Sequence, residues 1–149
     1  MLTLKRTNSR DKDFIQLVQK LDAYLAEVDG DEHAFYAQYN GIANLNHTIV
    51  AYLNGQALAC GAIKAFGEDA MEVKRMYVDP QARGQGVASQ VLKGLEVWAK
   101  ELGYERCVLE TGERQVEAVH LYQNRGYQRT PNYGQYIGVE NSVCFEKVL

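Results

Sequence analysis

AMEVKRMYVDPQARGQGVASQVLKGLEVWAKEL, Ala70–Leu102, reads as a strand, a turn with two glycines and a long amphipathic helix. Met71–Val78 is strand-like, with Val73, Tyr77 and Val78 as β-formers. Asp79-Pro80 interrupts that pattern, because Pro80 has no N–H to donate and biases Asp79 away from the helical region. From Val87 the apolar residues recur at helical spacing: Val87, Val91, Leu95 and Leu102 share a face that Leu92 and Trp98 widen. Between strand and helix lies Arg83-Gly84-Gln85-Gly86. Glycine lets a backbone approach a ligand closely, and the first N–H groups of a helix have no partner inside it. An exposed helix start suits an anion, phosphate above all, so the stretch predicts a pyrophosphate-binding loop.

The whole chain sets bounds on that reading. At 149 residues it is expected to form one domain, residues 1–149, large enough to bury a core without disulfides or metals. With 46% hydrophobic and 23% charged residues and a mean hydropathy of −0.35, its composition is that of an ordinary globular protein. A net charge of −3 and a pI near 5.6 argue against a nucleic-acid surface. No apolar run approaches membrane-spanning length, and MLTLKRTNSRDKDF at the start lacks the apolar core of a signal peptide. Cys60, Cys107 and Cys144 form no C-x-x-C pair, which points away from a disulfide framework or zinc site and toward a reducing, cytoplasmic setting. His33, His47 and His120 fall on separate elements without metal-ligand spacing, so no metal is expected.

Outward from the opening stretch, Leu2–Arg6 alternates apolar and basic residues like a short first strand. Asn8 or Ser9 is placed to cap a helix with Asp11 and Asp13 in its first turn and a stripe of Phe14, Leu17, Val18, Leu21 and Leu25. Asp29-Gly30-Asp31 breaks it, and Glu32–Tyr39 reads as a second short helix. His47–Leu53 and Gln56–Phe66 are strands joined by Asn54-Gly55, a hairpin signal, with Cys60-Gly61 marking a bulge or a close approach. Together with Met71–Val78 they predict an antiparallel meander. Beyond the long helix, Gly103 is placed as its C-cap, and Arg106–Glu110 reads as a strand parallel to Met71–Val78. Gln115–Arg125 follows as a helix with Val116, Val119 and Tyr122 on one face, then Tyr127–Tyr133 and Ser142–Leu149 as final strands. The predicted order, β-α-α-β-β-β-α-β-α-β-β, is an α/β chain with a mixed sheet and helices on its faces.

Three phosphate-loop readings compete for the glycines, beside the plain reading that they only shape a tight turn. A Walker A loop fails, because no Lys-Ser or Lys-Thr follows. A dinucleotide fingerprint places Ser89 where its third glycine or alanine belongs, although Glu110 sits where a ribose-binding acid would. The third reading accounts for more of the chain. Gln81-x-x-Gly84-x-Gly86, after a strand and opening a helix, resembles the acetyl-CoA signature Q/R-x-x-G-x-G/A of the GNAT superfamily of N-acetyltransferases. Ala118-Val-His-Leu-Tyr122-Gln-Asn-Arg-Gly126-Tyr127 resembles the second mark of that family, A-x-x-L-Y-x-x-x-G-F/Y. The strand order matches as well. One position departs from the pattern, Gln115 standing where the family often has an Asn that touches the pantetheine.

The resemblance implies a sheet splayed at its two central parallel strands, with acetyl-CoA as co-substrate in the gap. Met76, Tyr77 and Val78 are then expected to contact the pantetheine through the main chain, with Gln115 nearby. Arg83, Gly84, Gln85, Gly86, Val87, Ala88 and Ser89 are expected to hold the pyrophosphate. A strand N–H near Val78 is placed to face the oxyanion. Tyr122 occupies the family's general-acid position, against its plain reading as a core residue. Glu72 matches a base acting through water, or is a solvated strand acid, and Glu110 is the other candidate base. Asp29, Asp31 and Glu32 form an acidic rim, and the Tyr133–Tyr136 loop an aromatic wall, on the acceptor side. The implied activity is acetyl transfer to a primary amine of a small or amino-acid-like molecule by direct attack in a ternary complex. The alternatives are acetylation of a protein lysine or N-terminus, and a catalytically silent acyl-CoA sensor. Family members often pair through their last strands, so the resemblance also raises a homodimer.

Overall fold

The computed structural model describes residues 1–29 and 45–149. Among the described residues seven strands form one sheet in the order β1-β2-β3-β4-β5-β7-β6. They are β1 (Leu2–Thr7), β2 (His47–Leu53), β3 (Gln56–Phe66), β4 (Ala70–Val78), β5 (Arg106–Gly112), β6 (Gln128–Thr130) and β7 (Ser142–Val148). The α-helices among the described residues are α1 (Lys12–Asp29), α2 (Val87–Glu101) and α3 (Val116–Asn124). None of them is long and apolar enough to cross a membrane. The helix expected over Glu32–Tyr39 lies outside the described residues.

The predicted meander is present, with β1 through β4 pairing antiparallel. Its tight turn has Asn54 at φ +53° and Gly55 at φ +85°, the two positive angles that a primed hairpin turn needs. The β3–β4 register shifts between Cys60 and Ala62, which pair with Tyr77 and Lys74. The extra residue therefore belongs to β4, where Arg75 and Met76 stand against Gly61 and Arg75 takes φ +59°. Gly61 is the close approach: a Cβ there would lie 2.5 Å from Met76 Sδ and 2.9 Å from Leu95 Cδ1.

The sheet carries helices on both faces. The α1 stripe of Phe14, Leu17, Val18, Leu21 and Leu25 packs with Val50, Cys60, Ala62 and Tyr77. On the other face Val91, Leu92 and Leu95 of α2 meet Ile49, Ile63, Met71 and Val73. Several local expectations are corrected. Asp11, not Asn8 or Ser9, caps α1: its Oδ1 accepts the N–H of Asp13 at 2.9 Å and of Phe14 at 3.2 Å. Leu102 is exposed because the helix ends there, with Gly103 donating to Lys100 and Tyr104 to Ala99 in a Schellman arrangement. Val116 is exposed, and of the α3 stripe Tyr122 is the buried member. The penultimate strand is only three residues long, Gln128–Thr130, and Tyr127 lies in the turn that closes α3, its N–H bonded to the Tyr122 carbonyl.

The sheet opens at its centre. β4 and β5 are parallel but pair only at Ala70 with Arg106, Met71 with Cys107 and Glu72 with Val108. β5 continues in register with β7 as far as Gly112. The bulge at Arg75–Met76 bends β4 away, so the two strands part above Glu72.

Candidate active site

Above the bulge, alternation fixes which way the backbone of β4 points. The Asp79 N–H bonds the Leu58 carbonyl at 2.7 Å, on the β3 side, so the Val78 N–H turns to the opposite side, into the gap. Asp79 then caps a single 3-10 turn at Pro80–Ala82, accepting the Gln81 N–H at 3.0 Å and Lys20 of α1 at 3.0 Å. Gly84 and Gly86 follow at φ +79° and +75°, and a Cβ on either would meet nothing within 4 Å. The first bond inside α2 runs from the Gln90 N–H to the Gly86 carbonyl at 3.2 Å. The N–H groups of Val87, Ala88 and Ser89 therefore have no acceptor within the helix.

These pieces border a cavity of about 450 Å³. Met76, Tyr77, Val78, Arg83, Gly84, Gly86, Val87, Ala88, Ser89 and Gln115 all line it. Gln85 does not, its side chain turning back to the Gln81 carbonyl at 3.3 Å. Arg83 reaches across the mouth, donating to the Val78 carbonyl at 3.3 Å, with its guanidinium 5.8 Å from the Tyr24 ring of α1. Gln115 is the residue before α3 and makes no side-chain cap bond, which leaves its amide toward the cavity rather than the helix.

A second, smaller cavity of about 90 Å³ lies between the parted strands. Glu72 and Glu110 both line it. Since Glu72 pairs with Val108, Glu110 stands two residues further along, a diagonal position on the same face. The sequence left these two acids as alternatives, and the splay brings both to one wall. Tyr133 donates to Glu72 Oε2 at 2.6 Å and Lys74 Nζ lies 3.5 Å from Oε1, while Ser142 donates to Glu110 Oε2 at 2.6 Å. Tyr133 packs edge-on against Phe66, and of the Tyr133–Tyr136 loop Tyr136 lines the cavity. Burial, then the charge of Glu72, pushes the Tyr133 phenol far up. The grip of Tyr133 and Ser142 on the two acids had no sequence signal, because 61 and 32 residues separate them from Glu72 and Glu110.

Tyr122 borders both cavities. It is 6% exposed, wedged against Tyr127 and Phe145 with ring centroids 5.8 and 6.2 Å away. Tyr127 is anchored in turn, donating to Glu96 at 2.9 Å, which Lys147 holds at 2.9 Å. Burial, helped by the charge of Glu110, pushes the Tyr122 phenol well above its ordinary range. It keeps its proton at neutral pH, as a general acid must.

Other sequence candidates fall elsewhere. All three thiols are buried, and burial raises Cys60 and Cys107 to about 12 and Cys144 to about 11, so none is a thiolate nucleophile at neutral pH. His47 packs edge-on against Trp98 at 4.9 Å, and His120 is exposed. His33 and the acidic rim of Asp31 and Glu32, with the side chain of Asp29, lie outside the described residues.

Known proteins resemble this chain in sequence and in fold. Residues 14–127 match the family described as acetyltransferase (GNAT) family. A protein from Azospirillum brasilense named IAA acetyltransferase is 31% identical over 150 residues, covering 99% of this chain and 98% of its own. A solved structure from Klebsiella pneumoniae, named as an acyl-CoA N-acyltransferase, superposes with a TM-score of 0.84 at 32% identity over 100% of this chain and 98% of that one. A GNAT family acetyltransferase from Elizabethkingia anophelis, solved with acetyl-CoA bound, shares the fold at a TM-score of 0.69 and 19% identity, over 99% of this chain and 98% of that one.

Proposed function

The chain belongs to the acetyltransferase (GNAT) family, and we propose that it moves an acetyl group from acetyl-CoA to the primary amine of a small, amino-acid-like molecule. The transfer takes place in a ternary complex within one domain, residues 1–149. One observation carries this reading: Tyr122 borders two cavities, one edged by the glycine loop and the other by Glu72 and Glu110. Two compartments meeting at a protonated phenol let donor and acceptor be held together, with no covalent intermediate on a cysteine.

The donor side fits acetyl-CoA. Open space before Gly84 and Gly86 and the N–H groups of Val87, Ala88 and Ser89, which have no acceptor within the helix, suit a pyrophosphate. Arg83 and Gln85 flank the same loop. The edge of β4, where the backbone of Val78 faces the gap while that of Tyr77 turns to Cys60 of β3, suits the amides of a pantetheine, with Met76 beside it and Gln115 across the gap. The Val78 N–H faces the oxyanion that forms during attack.

On the acceptor side, an alkylammonium has an ordinary pKa of about 10 and must lose a proton before it attacks. Glu72, its carboxylate held by Tyr133, is the base, and Glu110 lines the same space. Tyr122 gives its proton to the departing sulfur. The test is steady release of free CoA thiol from acetyl-CoA with a panel of small primary amines. Amine-dependent release with intersecting initial-rate patterns is the expected result. Stabilisation of the protein by acetyl-CoA with no release for any amine overturns the proposal.

A further inference from the structure

An acetyl acceptor must bring a primary amine to the smaller cavity, and the chain already keeps one there. Among the described residues, Lys74 is the only lysine that lines either cavity. It stands two residues beyond Glu72 on β4, before the bulge, so alternation turns both side chains to the same face of the sheet. Its Nζ lies 3.5 Å from Glu72 Oε1, and its side chain is only 11% exposed.

That contact is loose. A charge-assisted bond between an ammonium and a carboxylate runs to about 2.7–2.9 Å. Lys20 and Lys147 come close to this, donating to Asp79 and Glu96 at 3.0 and 2.9 Å. Among the described residues Lys74 donates no hydrogen bond, to Glu72 or to any other group. Nor is its nitrogen one of the enclosed atoms left without a partner, which are Thr48 Oγ1, Arg75 Nε and Thr111 Oγ1. An ammonium neither bonded away nor sealed off opens on the space that its residue lines. Glu72, read above as the base, and Tyr122, read as the acid, line the same space of about 90 Å³. Enclosure beside both groups gives this amine an advantage of proximity that a lysine in bulk water lacks.

Resting on the acetyl-transfer reading above, we propose that Lys74 is itself an acetyl acceptor, modified by its own chain from acetyl-CoA. Glu72 takes a proton from the ammonium, and the neutral nitrogen bonds to the acetyl carbon as the carbon–sulfur bond breaks. Sulfur leaves with the electron pair and the proton of Tyr122. The second proton lost by the nitrogen restores the phenol, and the first passes from Glu72 to solvent. The products are an amide on Lys74 and free CoA. The amide carries no charge, so it ends the attraction to Glu72, and its acetyl group fills part of the space that a free amine would enter.

The experiment incubates the protein with acetyl-CoA and no added amine, and follows acetylation of each lysine by peptide mass spectrometry. Lys12, Lys64, Lys93 and Lys100 are exposed and report the uncatalysed background. Lys74 should be acetylated about tenfold faster than any of them, or more. Tyr122→Phe, which should keep stabilisation by acetyl-CoA, should bring Lys74 down toward the background and leave the exposed lysines unchanged. At saturating acetyl-CoA the fraction of Lys74 acetylated per minute should not change when the protein is diluted about tenfold. Acetylation of Lys74 no faster than the background overturns the proposal, as does a rate that Tyr122→Phe does not lower. A rate that falls on dilution overturns it as well, because one copy would then be modifying another. Any of these, beside amine-dependent thiol release, leaves acetyl transfer to a free acceptor standing. An unmodified Lys74 with no thiol release for any amine removes both readings together.

Discussion

The two cavities that meet at Tyr122 are built from different material. The larger is made of backbone: an edge of β4, two left-handed glycines and the open end of α2. The smaller is made of side chains collected from far apart, Glu72 held by Tyr133 and Glu110 by Ser142. Both exist because the bulge at Arg75–Met76 ends the pairing of β4 with β5. A backbone site tolerates many side chains and fits one common ligand. A side-chain site can be altered residue by residue, which is where a specificity belongs.

The largest effect should come where the two meet. Tyr122→Phe keeps the ring that packs on Tyr127 and Phe145, and removes only the hydroxyl. Turnover should fall about 10²- to 10⁴-fold while stabilisation by acetyl-CoA is kept. A loss confined to KM would make Tyr122 a wall rather than an acid.

The donor side should then respond to backbone and ignore side chains. A Cβ at Gly86 clashes with nothing, but φ +75° is strained by about 1–2 kcal/mol for any other residue, more for a β-branched one. Gly86→Val should therefore swing the first N–H groups of α2 off line, and acetyl-CoA affinity by calorimetry should fall tenfold or more. Gln85→Ala, whose side chain only turns back on Gln81, should stay within about twofold. Equal losses from both would break the contrast.

The same contrast explains what could be read in the chain. Backbone devices leave local marks. Asn54-Gly55 announced its turn, Gly84 and Gly86 their loop, and the spacing of Val87, Val91 and Leu95 the helix behind it. The second motif singles out Tyr122, which periodicity alone reads as a core residue, and the structure packs it in the core while it borders both cavities. Side-chain sites leave no such mark. Nothing in the order of residues says that Tyr133 will reach Glu72, since 61 residues separate them. The bulge was half legible: Gly61 signalled a close approach, but the extra residue sits across from it, on Arg75, in a run that reads as plain strand.

On the acceptor side, then, a change that leaves the backbone alone should still be felt. Tyr133→Phe keeps the edge-on contact with Phe66 and deletes the donor to Glu72 Oε2. With the carboxylate free to rotate, kcat should drop on the order of tenfold and acetyl-CoA affinity should not change. A drop in affinity instead would mean that Tyr133 serves the donor cavity.

The smallest effect concerns how the donor side is tied to the rest of the fold. Asp79 is buried beneath the loop, and its pKa is lowered by the Gln81 N–H and by Lys20. A carboxylate with a depressed folded pKa stabilises the protein above its unfolded pKa of about 3.9, and that contribution fades as pH falls through the lower folded value. Asp79→Asn retains an acceptor for Gln81 and loses the ion pair with Lys20, whose half-exposed ammonium limits the loss to about 1 kcal/mol. Urea unfolding should show that gap at pH 7 and show it closing toward pH 3. If acetyl-CoA affinity falls along with stability in this variant, the tether from α1 aims the loop as well as holding it. The backbone cavity would then depend on one side chain after all, at the point where the strand turns into the glycines.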